Sequence, residues 1–227
     1  MRFPSKKDAL KTICEKTNDI KSIIDIGVLT ETRDLIEAFP NKKHFLVEPI
    51  EEYYETIREN YKNINIELFE CAASNKTCDS NLELKTIPGG IISHSHVTTK
   101  EVGENIRPIK CITLDELMAP SMDMAPFLMK IDVDGHEISV LEGASKVLEK
   151  TNCLIIECPL YSLQARMAAV KKCAPHLELW DMVDFCYWKD NLWQVDLIFL
   201  SSSLRQNNHF DNTPKVHTEG ISNYTCL

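Results

Sequence analysis

Acidic residues close four of the five strands expected in the first two thirds of this chain: Asp25, Glu48, Asp132 and Glu157, with Glu70 inside the remaining one. A single acid at a strand end often does no more than cap the next helix. Together, these acids describe a carboxylate-lined crevice suited to a nucleoside that carries a cationic group. Glu48 follows the first strand end by some twenty residues, the spacing at which a carboxylate accepts hydrogen bonds from ribose hydroxyls. Asp132 and Asp134 are two apart, so on extended backbone they share one face. With Glu157 they could hold Mg²⁺ or Mn²⁺, which take oxygen ligands. No further ligand is evident, so the preferred reading has Asp132 in the pocket, Asp134 supporting its loop, and no metal. His94 and His96 alternate in an irregular stretch, where they could contact a polar substrate or be plain loop histidines.

Positioning these groups requires a sheet, and the apolar pattern supplies one. Runs at 21–27, 44–48, 64–72, 127–133 and 153–158 are short, rich in β-branched residues and separated by helical spacing. One helix is expected through Val140, Leu141, Ala144, Val147 and Leu148, and others near 50–61, 114–118 and 162–172. Strands this apolar, joined by helices, imply a parallel sheet with right-handed crossovers. Two longer strands, 177–188 and 192–200, flank Lys189-Asp190-Asn191 and read as an antiparallel hairpin. Its aromatics, Trp180, Phe185, Tyr187, Trp188 and Trp193, fit packing or a subunit contact between copies better than a cofactor stack. The section from 75 to 108 is less regular, with an exposed strand at 81–87 and a turn at Pro88-Gly89-Gly90. The fold class is therefore a doubly wound α/β domain spanning 1–200, followed by a polar, mobile tail at 201–227. In such sheets ligands bind beyond the carboxyl ends of the strands, where the strand order reverses.

Composition narrows the partners. The 227 residues carry 25 Lys and Arg against 34 Asp and Glu, a net charge of −9, which opposes a nucleic-acid or anionic-membrane surface. No apolar run is long enough to cross a bilayer, and the start of the chain has no signal-peptide core. The nine cysteines form no CxxC pair, and several sit in apolar runs, as reduced core thiols of a cytoplasmic protein do. Only seven glycines are present, and the first loop lacks the Gly-x-Gly-x-x-Gly turn of a nicotinamide-binding protein.

The stretch from Lys130 to Glu157, KIDVDGHEISVLEGASKVLEKTNCLIIE, resembles the FkbM family of S-adenosylmethionine-dependent methyltransferases. Lys130, Ile131, Asp132, Gly135, Glu137, Leu141, Gly143, Ala144 and Glu157 match the family pattern, with Asp134 in place of Glu. The segments Ile112–Leu117, Val47-Glu48-Pro49 and Cys71-Ala72-Ala73-Ser74 match as well. The resemblance implies a Rossmann-like class I fold, S-adenosylmethionine as methyl donor, and O-methylation of a hydroxyl on a small metabolite or glycan. It places Asp25, Gly27 and Val28 at the donor's methionine part, Glu48 and Pro49 at the ribose, and Glu70, Cys71 and Ala72 at the adenine. Asp132, Asp134 and His136 become the catalytic candidates, His136 either as a general base with a pKa near neutrality or as a helix-entry residue that only caps or packs. His94, His96 and Glu157 become the acceptor-binding candidates.

One position departs from the pattern. Similar proteins read Asp-x-Gly-Ala-x-x-Gly in the first loop, whereas this chain has Glu31 at the second glycine. Glu31 could pair with the donor's amino group or obstruct its place. The second course would leave a methyltransferase fold that serves as a binding or assembly module.

Overall fold

The computed structural model describes residues 3–87, 91–207 and 210. Seven strands form the central sheet: β1 (Ser22–Ile26), β2 (Lys43–Val47), β3 (Asn65–Phe69), β4 (Phe127–Ile131), β5 (Thr151–Pro159), β6 (Leu177–Trp188) and β7 (Asn191–Ser201). Their spatial order is β6-β7-β5-β4-β1-β2-β3. All neighbours pair in parallel except β7, which runs antiparallel to both β5 and β6. This is the doubly wound sheet that the apolar pattern implies. The hairpin contributes its antiparallel strand one place in from the edge. The order reverses between β1 and β4, so the crevice opens above their carboxyl ends.

The central strands are apolar because both faces are covered. Every residue of β1 and β4 is buried. Ile24, Ile26, Phe127, Met129 and Ile131 pack on one face against Val140, Leu141, Val147 and Leu148. Ile23, Leu128, Ile155 and Ile198 pack on the other against Leu10 and Ile13 of α1 (Lys6–Lys16). Ser5 caps that helix, its side chain accepting from the Asp8 N–H at 3.2 Å. The remaining helices are α2 (Arg33–Ala38), α3 (Tyr54–Asn60), α4 (Leu114–Met118), α5 (Glu137–Glu142), α6 (Ser145–Glu149), α7 (Leu163–Cys173) and α8 (Ser202–Asn207).

Three elements differ from the pattern-based expectation. The run at 64–72 is two strands, because the chain leaves the central sheet after Phe69. Ala72–Ala73 then pairs in parallel with Ile106–Ile112. That pairing begins a second, four-stranded sheet with Cys78–Glu83 and His96–Thr98, which covers the crevice. The single helix expected after β4 is broken into α5 and α6 at Gly143 and Ala144. A Cβ at Gly143 would stand 2.0 Å from the Ser74 carbonyl oxygen, so another segment occupies that side of the break. Asp115 then accepts from the N–H groups of Lys146 at 2.9 Å and Val147 at 3.0 Å, capping α6 from outside the helix. Finally, the polar segment after Ser201 begins with a helix, and Leu204 and Phe210 are buried beside Trp180. The turn at 88–90 and residues 211–227 lie outside the described residues.

Candidate functional site

At the switch point the first loop leaves β1 through Gly27, whose backbone is left-handed at φ +81°. The Gly27 N–H donates to the Val47 carbonyl at 3.0 Å, and the Asp132 N–H donates to the Ile26 carbonyl at 2.9 Å. The loop is thus tied to the ends of β2 and β4. Beneath it, Lys130 lies within the buried strand β4 and needs anionic partners there. Its Nζ stands 3.3 Å from Asp25 Oδ1 and 3.2 Å from Asp132 Oδ2. Burial opposes the charge on Lys130, but Asp132 and Asp25 outweigh it and raise the pKa. The Tyr61 hydroxyl donates to the second oxygen of Asp25 at 3.5 Å, at the long limit of a hydrogen bond. Asp25 is fully buried and supports the floor of the crevice.

Glu48 ends β2 in the crevice wall. Its Oε2 accepts from the Leu29 N–H at 2.8 Å and its Oε1 from the Ile50 N–H at 2.9 Å. Burial pushes its pKa up to about 7 despite those two donors. Each carboxylate oxygen keeps acceptor capacity beyond these bonds. The crevice encloses about 280 Å³, with Gly27, Leu29 and Pro49 on one side and Ala72, Ala73 and Leu82 on another. Asp132, Val133, His136 and Glu157 complete its far end.

Asp132 and Glu157 face each other across the ends of β4 and β5 and titrate in opposite directions. Burial and the neighbouring Asp132 carboxylate push Glu157 up to about 9. Burial also works against the Asp132 charge, but Lys130 overcomes it and lowers the pKa. Near neutral pH the pair therefore carries one proton, held on Glu157. The Gln194 side-chain amide donates to Glu157 from β7. His136 precedes α5, and its Nε2 shares a 2.9 Å hydrogen bond with Ser74 Oγ. Burial lowers its pKa. Behind it, Glu137 and Arg166 form a buried ion pair at 2.5 Å, which locks α5 to α7.

A second cavity of about 600 Å³ adjoins the first, and His94, Asp134 and Glu157 line both. Tyr161, Tyr187, Trp188 and Trp193 form its outer wall. The Tyr161 and Trp193 rings lie 5.7 Å apart, and Trp188 is 68% exposed.

The structure gathers most of the sequence-derived candidates around these two cavities. Gly27, Glu48, Pro49, Ala72, Asp132 and His136 line the first, His94, Asp134 and Glu157 line both, and His96 lines the second. The others sit elsewhere. Val28 is buried against Leu46, Ile57 and Tyr61. Cys71 is in the core, and Glu70 pairs with Arg58 at 2.6 Å outside the crevice. Glu31 is turned to Arg33, its Oε1 2.6 Å from the guanidinium, and is not among the lining residues. Leu82, Ser93, Ser95 and Val97 of the covering sheet and its loop were not singled out from sequence, because no local spacing ties them to β1. Lys130 was legible as a lysine interrupting an apolar strand, although its two carboxylate partners were not. Among the described residues, no group of three or more His, Cys, Asp or Glu is disposed to hold a metal ion, and no helix is long and apolar enough to cross a membrane.

A curated relative, "Hexuronic acid methyltransferase AglP" of Haloferax volcanii, is 25% identical over 154 residues, 67% of this chain. The chain spans 62% of that relative's length. Among solved structures, the METTL16 MTase domain matches with a TM-score of 0.50 at 7% identity, covering 86% of this chain and 65% of that one. A precorrin-6y C5,15-methyltransferase from Geobacter metallireducens matches with a TM-score of 0.47 at 14% identity, covering 85% of each chain. The family model of the methyltransferase FkbM domain matches residues 25–182, more than half of the chain. This protein therefore belongs to the FkbM methyltransferase family.

Proposed function

We propose that the protein is an S-adenosylmethionine-dependent O-methyltransferase acting on a hydroxyl of a sugar or similar small metabolite. One observation carries the reading: the crevice at the β1/β4 switch point joins a glycine-floored loop, the Glu48 carboxylate and an acidic end at Asp132 and Glu157.

The residues present suit that donor. The backbone at Gly27 passes so near Asp132 that a side chain has no room, which joins the first loop to the end of β4 at the crevice floor. Glu48 retains lone pairs for two ribose hydroxyls after serving Leu29 and Ile50. Val47, Ile50, Ala72 and Ala73 offer apolar lining for the flat purine of the donor. The anionic Asp132 faces the end where the cationic part of the donor belongs. When bound, the donor supplies an electrophilic methyl group on a sulfonium. The protein's own task is then to position the acceptor in line and exclude water.

The aromatic wall of the second cavity supports a sugar-like acceptor, because the C–H faces of a pyranose ring pack against Tyr and Trp while the polar rim takes its hydroxyls. The named function of the curated relative points the same way. The described cysteines are free thiols, which suits a reducing compartment such as the cytoplasm.

Isothermal titration with S-adenosylmethionine and S-adenosylhomocysteine tests the reading directly. Micromolar binding of both is expected, reduced by Trp193→Ala far less than by Glu48→Gln. No binding at millimolar ligand overturns the proposal and leaves a methyltransferase fold used for binding or assembly.

A further inference from the structure

We infer that His94, oriented by Asp134, is the base that takes the proton from the acceptor hydroxyl, which arrives through the aromatic-walled second cavity. The inference rests on the methyl-transfer reading above and adds to it the residue that completes the step.

The two cavities meet at His94, Asp134 and Glu157. A methyl group held in the first cavity and a hydroxyl held in the second have their reacting atoms at this junction. A base for the hydroxyl has to stand there. His94 Nδ1 lies 2.9 Å from Asp134 Oδ1. With Nδ1–H donated to the carboxylate, the ring is held in one orientation and Nε2 keeps the lone pair that takes the proton. The other candidates near the junction are committed elsewhere. His136 Nε2 is engaged by Ser74 Oγ, Asp132 by Lys130, and Glu157 by Gln194. Both members of the pair also adopt left-handed backbone, at φ 56° for His94 and 49° for Asp134. Such strain in residues other than glycine concentrates at sites where geometry serves function.

The step balances without any further reactant. The hydroxyl oxygen forms a bond to the methyl carbon as the carbon–sulfur bond breaks, and that bond's electron pair stays on sulfur. The hydroxyl proton passes to His94 Nε2 and from there to solvent. The products are a methyl ether, a neutral thioether and one proton.

The test measures S-adenosylhomocysteine release with methyl glucoside and methyl glucuronide as probe acceptors, beside calorimetric donor affinity. His94→Gln is expected to lower kcat by about 10²–10⁴-fold with donor affinity within twofold. Imidazole added to His94→Ala is expected to restore at least tenfold of the lost rate. Asp134→Asn, which perturbs only the orientation of the ring, is expected to lower kcat at least tenfold and leave KM unchanged. Retention of kcat within twofold in His94→Gln overturns the assignment, as does a failure of imidazole to raise the His94→Ala rate. Donor binding without turnover of either sugar also overturns it and leaves the donor reading standing. Absence of donor binding removes the methyl-transfer reading itself.

Discussion

A Cβ added to Gly27 would stand 1.8 Å from the carbonyl oxygen of Asp132, so the loop after β1 and the end of β4 touch through their backbones. This contact brings the first loop and the acidic end of β4 into one crevice, although their sequence positions are more than a hundred residues apart. Gly27→Ala is expected to cost about 1–2 kcal/mol for the left-handed backbone and about 1–3 kcal/mol more for overpacking. Urea unfolding measures the first consequence, and loss of measurable donor binding is the second. A variant as stable as wild type that binds the donor normally would contradict the role given to this glycine.

Glu48 links donor affinity to pH. Its carboxyl is held up to about 7 by burial, and only the ionised form accepts from two ribose hydroxyls. Donor affinity is expected to rise from pH 6 to pH 8 in wild type. In Glu48→Gln it should be flat and roughly tenfold or more weaker, a loss of about 1.4 kcal/mol or more. Titration calorimetry at three pH values reads both effects.

Glu157 leaves its mark on stability instead. An unfolded glutamate titrates near 4.5, whereas the folded Glu157 holds its proton up to about 9. The folded state therefore binds the extra proton between those values, and the stability it contributes below pH 4.5 is lost as pH rises toward 9. One proton corresponds to a slope of at most about 1.4 kcal/mol per pH unit. Because Glu48 titrates around 7 and is mostly ionised by pH 8, melting between pH 8 and 9 reports mainly on Glu157. Wild-type Tm should fall over this range, and the Tm of Glu157→Gln should fall less.

The Glu137–Arg166 pair is 1% and 4% exposed, so removing one partner leaves an uncompensated buried charge. Arg166→Met is expected to destabilise the fold by about 3–5 kcal/mol. Adding Glu137→Gln to that variant should recover part of the loss, as denaturant midpoints would show.

Glu31 occupies the position of a family glycine, but its carboxylate is on Arg33 and away from the crevice. An ion pair this open to solvent is screened and contributes little. Glu31→Gly is accordingly expected to shift donor affinity by less than about fivefold. A larger gain or loss in calorimetry would put Glu31 at the donor after all.

Periodicity and residue type alone determined the doubly wound sheet, the C-terminal hairpin and the short helix at 114–118. Central strands buried on both faces must be continuously apolar, and that signature is local. The acids at the ends of β1, β2, β4 and β5 were legible for the same reason, since a strand end is read from the run that precedes it. Residues 64–72 were not legible as two strands, because the exit after Phe69 is decided by the pairing of Ala72 with Cys111. The break at Gly143 was hidden too, since what crowds that turn is the Ser74 carbonyl, brought there by the fold. Tertiary structure alone decided how the acids divide their work. Lys130 keeps Asp132 charged while burial and that same charge keep Glu157 protonated. It also set His94 against Asp134 across 40 residues of chain, and turned Glu31 toward Arg33. Sequence spacing carries no record of such partners, because electrostatic coupling acts through space and is strongest where water is excluded.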